Sequence, residues 1–270
     1  MSSMRTQVEV AGQTVGGGHF TLIAGPCTVE SRAQVLESAE IVRAGGATMF
    51  RAGAYKPRTS PHAFRGLGPA GLRLLADVKE QTGMPIVTEL LDVRDLELVL
   101  EVADVVQIGA RNMQNYTLLT EVGRAGRPVL LKRGLGATVD ELVSASEYVL
   151  AEGNQNVILC ERGIRTFETE HRRATLDLMA VPILKSLSPL PVVVDPSHAA
   201  GRRDLVLPLS LAAAAIGADG VMVEVHPRPD EAICDGPQSL VGADFAAYAE
   251  QLLAAAELMG GSVRAAAGVI

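Results

Sequence analysis

Short apolar runs recur along the chain at residues 20–24, 47–50, 85–89, 105–108, 129–132, 157–160, 192–195 and 221–225. Each is nearly continuous rather than alternating, the pattern of parallel strands covered on both faces. The segments between them carry a helical period. Leu72, Leu75 and Val78 share one face ahead of Gly83, which reads as a C-cap. Thr138 and Glu141 form a capping box that opens a helix ending near Gly153. Asp92 reads as an N-cap ahead of Leu96, Val99 and Leu100. Eight strand–helix units over about 250 residues predict a (β/α)8 TIM barrel. A doubly wound sheet fits less well, because no G-x-G-x-x-G follows the first run. The expected layout is an N-terminal hairpin extension over 1–18, with 8–15 plugging the barrel bottom, and a barrel over 19–260. An Ala-rich helix over 252–267 frays into a tail at 261–270.

The 270 residues are 48% hydrophobic and 20% charged, enough to build a large core and too apolar for disorder. Aromatics make up 3%, Trp is absent and the net charge is −7, which excludes a nucleic-acid surface. No run is long enough to span a membrane and no signal peptide opens the chain, so a cytoplasmic protein is expected. Cys27, Cys160 and Cys234 lack a disulfide-framework spacing and read as cytosolic thiols or metal ligands.

In such a barrel the residues after each strand form the working face. Here they are polar or reactive at every strand: Cys27, Arg51 with the loop 56–60, Glu89, Arg111, Lys132 with Arg133, Glu161 with Arg162, Asp195 to His198, and Glu224 with His226 followed by Asp235. They divide into two sets. Cys27, His198, Glu224 and Asp235 offer a thiolate, an imidazole and two carboxylates, a donor set for one borderline divalent ion. The bland reading makes Cys27 a small buried residue. A carboxylate ending an apolar strand argues against that reading, since Glu224 needs a partner when buried. The second set is Arg51, Lys56, Arg58, Arg111, Lys132 and Arg162. Six cations on one face of an acidic protein suit two phosphorylated substrates, or a phosphate and a carboxylate. One or two of the six are expected to pair instead with Glu89, Glu161 or Glu168.

With these motifs the chain resembles the 3-deoxy-D-arabino-heptulosonate 7-phosphate (DAHP) synthases, in the short class I subgroup related to 3-deoxy-octulosonate 8-phosphate (KDO8P) synthases. The resemblance rests on Ala24-Gly25-Pro26-Cys27, the run from Gly53 to Pro61, Ile108-Gly109-Ala110-Arg111, Leu131-Lys132-Arg133-Gly134, and Leu159-Cys160-Glu161-Arg162-Gly163. It continues through Asp195-Pro196-Ser197-His198, Val223-Glu224-Val225-His226 and Asp235-Gly236-Pro237-Gln238-Ser239-Leu240, and it covers roughly residues 18–258. It implies condensation of phosphoenolpyruvate with D-erythrose 4-phosphate, the entry to the shikimate route. By matched position it implies Cys27, His198, Glu224 and Asp235 as metal ligands, with Mn²⁺ first and Fe²⁺, Co²⁺, Zn²⁺ or Cu²⁺ as alternatives. Arg51, Ala110, Arg111, Lys132 and Arg162 would hold phosphoenolpyruvate. Lys56, Pro57, Arg58, Thr59 and Ser60 would meet the aldose phosphate. Lys56 is the expected proton donor to the new alkoxide, with Arg51 and Arg58 expected to lower its pKa. Cys27 and His198 join it as catalytic through the metal.

KDO8P synthases typically carry Lys-Ala-Asn-Arg-Ser-Ser where this chain has Lys56-Pro57-Arg58-Thr59-Ser60, and the metal-free ones have Asn at the position of Cys27. A four-carbon aldose is therefore expected. The alternatives are a KDO8P synthase using arabinose 5-phosphate and a related phosphoenolpyruvate synthase of specialised metabolism. A Schiff-base aldolase built on Lys132 and a non-catalytic phosphometabolite sensor are further rivals. The segments flanking the barrel leave no room for a regulatory module, so inhibition by Tyr or Phe is not expected. A homo-oligomer, dimer or tetramer, is expected, and a regulatory partner protein is left open. Cys234 precedes Asp235; loss of the metal would let Cys27 and Cys234 oxidise to a disulfide, while an unreactive loop thiol is the preferred reading.

Overall fold

In the computed structural model, which describes residues 5–168 and 170–263, each apolar run becomes a strand or most of one. The elements follow in chain order: β1 Val8–Val10, β2 Gln13–Val15, β3 Thr21–Gly25, α1 Arg32–Ala44, β4 Met49–Arg51, α2 Pro69–Thr82, β5 Ile86–Glu89, α3 Leu96–Leu100, β6 Val105–Ile108 and α4 Tyr116–Arg124. Then come β7 Val129–Lys132, α5 Val139–Ala151, β8 Val157–Glu161, α6 Ala180–Leu187, β9 Val192–Val194, α7 Pro196–Ala200, α8 Val206–Ala215, β10 Gly220–His226, β11 Leu240–Val241 and α9 Phe245–Leu258. Strands β3 to β10 pair in sequence order, all parallel, and β10 closes on β3 with Gly220 opposite Thr21 and Glu224 opposite Gly25. The result is a closed (β/α)8 barrel.

Two packed layers explain why the strands read as unbroken apolar runs. Leu22, Ala24, Phe50, Ile86 and Val106 point outward into the layer beneath the helices. Their neighbours Ile23, Met49, Val87 and Val105 point into the barrel, where they meet Val8, Val10 and Val15 of the antiparallel β1–β2 hairpin. The hairpin is thus the expected plug. Cys160 belongs to this interior layer, and burial pushes its thiol well up. It is barrel filling, not a metal ligand.

Local signals act where chemistry requires them. Thr138 and Glu141 make both bonds of the capping box at α5, which ends at Ala151. Gly83 closes α2 in the left-handed conformation. Asp92 caps a short 3-10 turn at Val93–Asp95 rather than α3 directly, because its carboxylate is taken by Arg94 N. β9 stops at Val194, one residue before the expected end, since Asp195 leaves the sheet to cap α7 and Pro196 occupies its first turn. The terminal helix starts earlier than expected, at Phe245, whose ring is buried with Tyr248 and Leu252. It ends at Leu258, ahead of Gly260 at φ 86°, and most of the expected tail lies outside the described residues. No helix of the described residues is long and apolar enough to cross a membrane.

Candidate active site

The C-terminal ends of the strands enclose a cavity of about 530 Å³. Of the residues singled out from sequence, Cys27, Arg51, Lys56, Pro57, Arg58, Thr59, Ser60, Ala110, Arg111, Lys132, Arg162, His198 and Asp235 all line it. Glu224 lies just behind the wall, 1% exposed, and reaches the site through its hydrogen bonds.

The close approach of β3 and β4 sets one side. Gly25 has φ 151°, and a Cβ there would lie 2.1 Å from the Arg51 carbonyl oxygen. Glycine therefore lets the Cys27 turn sit against the end of β4. The ligand atoms of Cys27, Glu224 and Asp235 lie within 4.8 Å of one another. His198 stands outside that trio and joins it through Glu224, with Nε2 3.3 Å from Oε1. Asp235 adopts φ 55°, an uncommon left-handed conformation for a non-glycine residue.

The cluster is held from behind. Glu224 accepts from Arg51 Nη1 at 3.0 Å and from Gln238 Nε2 at 2.6 Å, and its backbone N–H donates to Ser197 Oγ at 3.0 Å. His198 Nδ1 lies 2.8 Å from Asp195 Oδ2, which fixes the ring and leaves Nε2 facing Glu224. The Lys56 ammonium stands among the ligands, donating to Cys27 Sγ at 2.6 Å and Asp235 Oδ2 at 2.7 Å.

Electrostatics suit this donor set to a cation. Burial pushes His198 down to about 4, against Asp195 and Glu224, so the imidazole is neutral at physiological pH. Burial works to raise Glu224, but His198, Arg51 and Lys56 outweigh it and keep the group below the usual range. Asp235 is likewise held down against burial, chiefly by Lys56. Cys27 is pushed well up by its hydrogen bond with Cys234, by burial and by Glu224. One soft sulfur, one neutral imidazole and two carboxylates, already drawing an ammonium into their midst, fit a borderline divalent ion.

The anion-binding half is more committed than expected. Arg51 pairs with Glu224, Lys56 with Asp235 and Lys132 with Asp195. The sequence suggested Glu89, Glu161 or Glu168 as partners for one or two of these cations. Glu161 is instead bound by Arg133, which also holds Asp177 and is withdrawn from the cavity. Glu89 keeps an open carboxyl in the cavity, with no hydrogen-bond partner among the described residues, raised by burial against four surrounding cations including Lys132 and Lys56. Gly109 makes room for it, since a Cβ there would fall 2.0 Å from Glu89 Oε1. His226 faces away from the cavity: its Nδ1 accepts from Arg228 N, and its Nε2 lies 3.5 Å from Glu30.

One expectation is corrected. Lys56 is not lowered by Arg51 and Arg58. Burial works in that direction, but Cys27, Glu224 and Asp235 outweigh it and hold the ammonium above the ordinary lysine range. Cys234, expected to be an unreactive loop thiol, sits in a charged setting. Its bond with Cys27 is the main cause of a shift down to about 6, aided by Thr28, Lys56 and Arg58, and Arg58 Nη1 donates to its sulfur at 3.2 Å. Neither cysteine is in a disulfide.

Sequence reasoning missed Gln107, Arg165 and Arg173 in the cavity wall. Gln107 had a signal: it is the polar residue inside the apolar run 105–108. Arg173 had none, since its contacts with Asp235 at 3.3 Å and Gln238 at 2.9 Å depend on a long loop folding back.

Comparison with known proteins agrees with this layout. Residues 5–259 match the model of the DAHP synthetase I family. A phospho-2-dehydro-3-deoxyheptonate aldolase of Thermotoga maritima is 51% identical over 245 residues, covering 91% of this chain and 71% of the relative. A 2-dehydro-3-deoxyphosphooctonate aldolase of Syntrophotalea carbinolica is 37% identical over 256 residues, covering 88% and 91%. The crystal structure of the Thermotoga maritima DAHP synthase superposes with a TM-score of 0.93 at 49% identity, over 96% of this chain and 76% of that one. A truncated form of the Thermotoga maritima enzyme gives 0.89 at 46% identity, over 96% and 95%.

Proposed function

The chain belongs to the DAHP synthetase I family and is an enzyme of the DAHP synthase type, and we propose that it condenses phosphoenolpyruvate with D-erythrose 4-phosphate in the cavity at the barrel mouth. The observation that carries this reading is the juxtaposition, in one cavity, of a divalent-ion donor set with a ring of cations. Cys27, His198, Glu224 and Asp235 would hold the ion. When bound, it supplies Lewis acidity to the aldehyde oxygen of the aldose.

The protein's own groups do the rest. Arg111, Lys132 and Arg162, with Ala110 beside them, hold the phosphate and carboxylate of phosphoenolpyruvate. Arg51, largely committed to Glu224, adds charge from the metal side. Lys56, Pro57, Arg58, Thr59 and Ser60 shape the floor for the aldose and its phosphate. Holding both substrates here brings C3 of the enol phosphate against the aldehyde carbon. Lys56 Nζ gives its proton to the aldehyde oxygen as that bond forms. Water then adds at C2. Glu89 takes one of its protons, and the C2–O bond to phosphate breaks as the remaining C2 hydroxyl proton passes to the departing phosphate, which Arg111 and Arg162 retain while C2 becomes the ketone. The Lys132 ammonium, buried against Asp195, supports an anion clamp better than a Schiff-base nucleophile. The greater identity to the heptonate than to the octonate aldolase supports the four-carbon aldose.

The test is metal removal. Chelation should abolish phosphate release and Mn²⁺ should restore it, while Lys56→Met should lower kcat by about 10²-fold or more at saturating substrates. Full turnover in chelator, or near-normal turnover of Lys56→Met, would contradict the respective assignment.

A further inference from the structure

Asp195 stands between the two halves of the cavity. Its Oδ2 faces His198 Nδ1 at 2.8 Å and also accepts from the Lys132 ammonium, while its Oδ1 accepts from His198 N at 3.0 Å. The residue is 0% exposed, so solvent does not moderate the competition for that oxygen. One oxygen shared between two donors serves each less than it would serve either alone. An anion at Lys132 draws on the ammonium and leaves more of Oδ2 to the imidazole N–H. An imidazole so supported is a better donor at Nε2. In the other direction, a divalent ion on Nε2 makes Nδ1–H a stronger donor, engages Asp195 and releases Lys132 toward an anion.

We infer that Asp195 is a positioning residue that couples divalent-ion binding at the Cys27, His198, Glu224 and Asp235 cluster to phosphoenolpyruvate binding at Lys132, so that each ligand tightens the other. The inference rests on the proposed roles of that cluster and of Lys132. By linkage, the factor is the same whichever ligand binds first.

Titration of the metal-free protein with Co²⁺, followed by thiolate-to-cobalt absorption, measures the factor directly when run with and without saturating phosphoenolpyruvate. The wild type should bind Co²⁺ about tenfold more tightly in its presence. Asp195→Asn keeps the side-chain shape and the helix cap, and it should reduce that factor to within about twofold of unity. Gln238→Ala removes contacts to Glu224 and Arg173 but none to Lys132, and should leave the factor intact. An unchanged factor in Asp195→Asn overturns the inference and assigns the coupling to the field across the cavity. Should Asp195→Asn not fold, Lys132→Gln decides: it should bind Co²⁺ more tightly than wild type without phosphoenolpyruvate, and equal or weaker binding overturns the inference. Failure of the wild type to bind Co²⁺ at all would instead overturn the metal-site reading, and the coupling with it.

Discussion

In its proposed role as a ligand, Cys27 would meet an arriving ion as a thiol and bind it as a thiolate. Its hydrogen bond with Cys234, burial and Glu224 all hold the proton on. His198 is already neutral at physiological pH, with its pKa near 4, and the two carboxylates are held ionised. The proton released on loading therefore comes from Cys27. Metal affinity should rise with pH through the neutral range by about tenfold per unit, with close to one proton released per ion. Calorimetry in two buffers of different ionisation enthalpy measures both; pH-independent affinity would contradict the assignment. The candidate donors were legible because Cys27, His198 and Asp235 follow strands β3, β9 and β10, and Glu224 interrupts the apolar run of β10. The charge on Lys56 was not. Arg51 and Arg58 flank it in sequence, whereas the groups that set its state, Cys27, Glu224 and Asp235, come from other strands. Asp195 was visible as a strand end, but its double contact with His198 and Lys132 exists only once β7 and β9 are in place.

At the scale of elements, scaffold and site separate cleanly. The Thr138 capping box lies on an exposed turn at the start of α5. Thr138→Ala should cost about 1 kcal/mol of stability and leave kcat unchanged; a thermal melt with a turnover assay checks both. Gly25→Ala should do the opposite in kind. Its new Cβ would press on the Arg51 carbonyl, a backbone atom that cannot swing aside, and displace the Cys27 turn from the end of β4. Metal affinity should fall along with stability, the latter by about 1–3 kcal/mol. Retained Co²⁺ binding in that variant would contradict the role given to the glycine. The strands themselves were readable because burial on both faces leaves them apolar throughout. Loops that fold back were not, and Arg173 in the loop after β8 is the example. No local period marks such a loop, and its contacts with Asp235 and Gln238 are made across the barrel mouth.

At the scale of the molecule, a protein of net charge −7 places eight of its 24 Lys and Arg residues around one cavity at the mouth of a closed barrel. A cation-lined mouth attracts small polyanions and holds them close to the proposed metal donors. The loop Lys56-Pro57-Arg58-Thr59-Ser60 forms one wall of the cavity, and in the proposed reading it is this loop that discriminates aldose length. Comparing phosphate release from phosphoenolpyruvate with D-erythrose 4-phosphate and with D-arabinose 5-phosphate, on the Mn²⁺-loaded protein, tests the central claim most directly. Rapid release with erythrose 4-phosphate and little with arabinose 5-phosphate is the predicted result; faster turnover of arabinose 5-phosphate would contradict it.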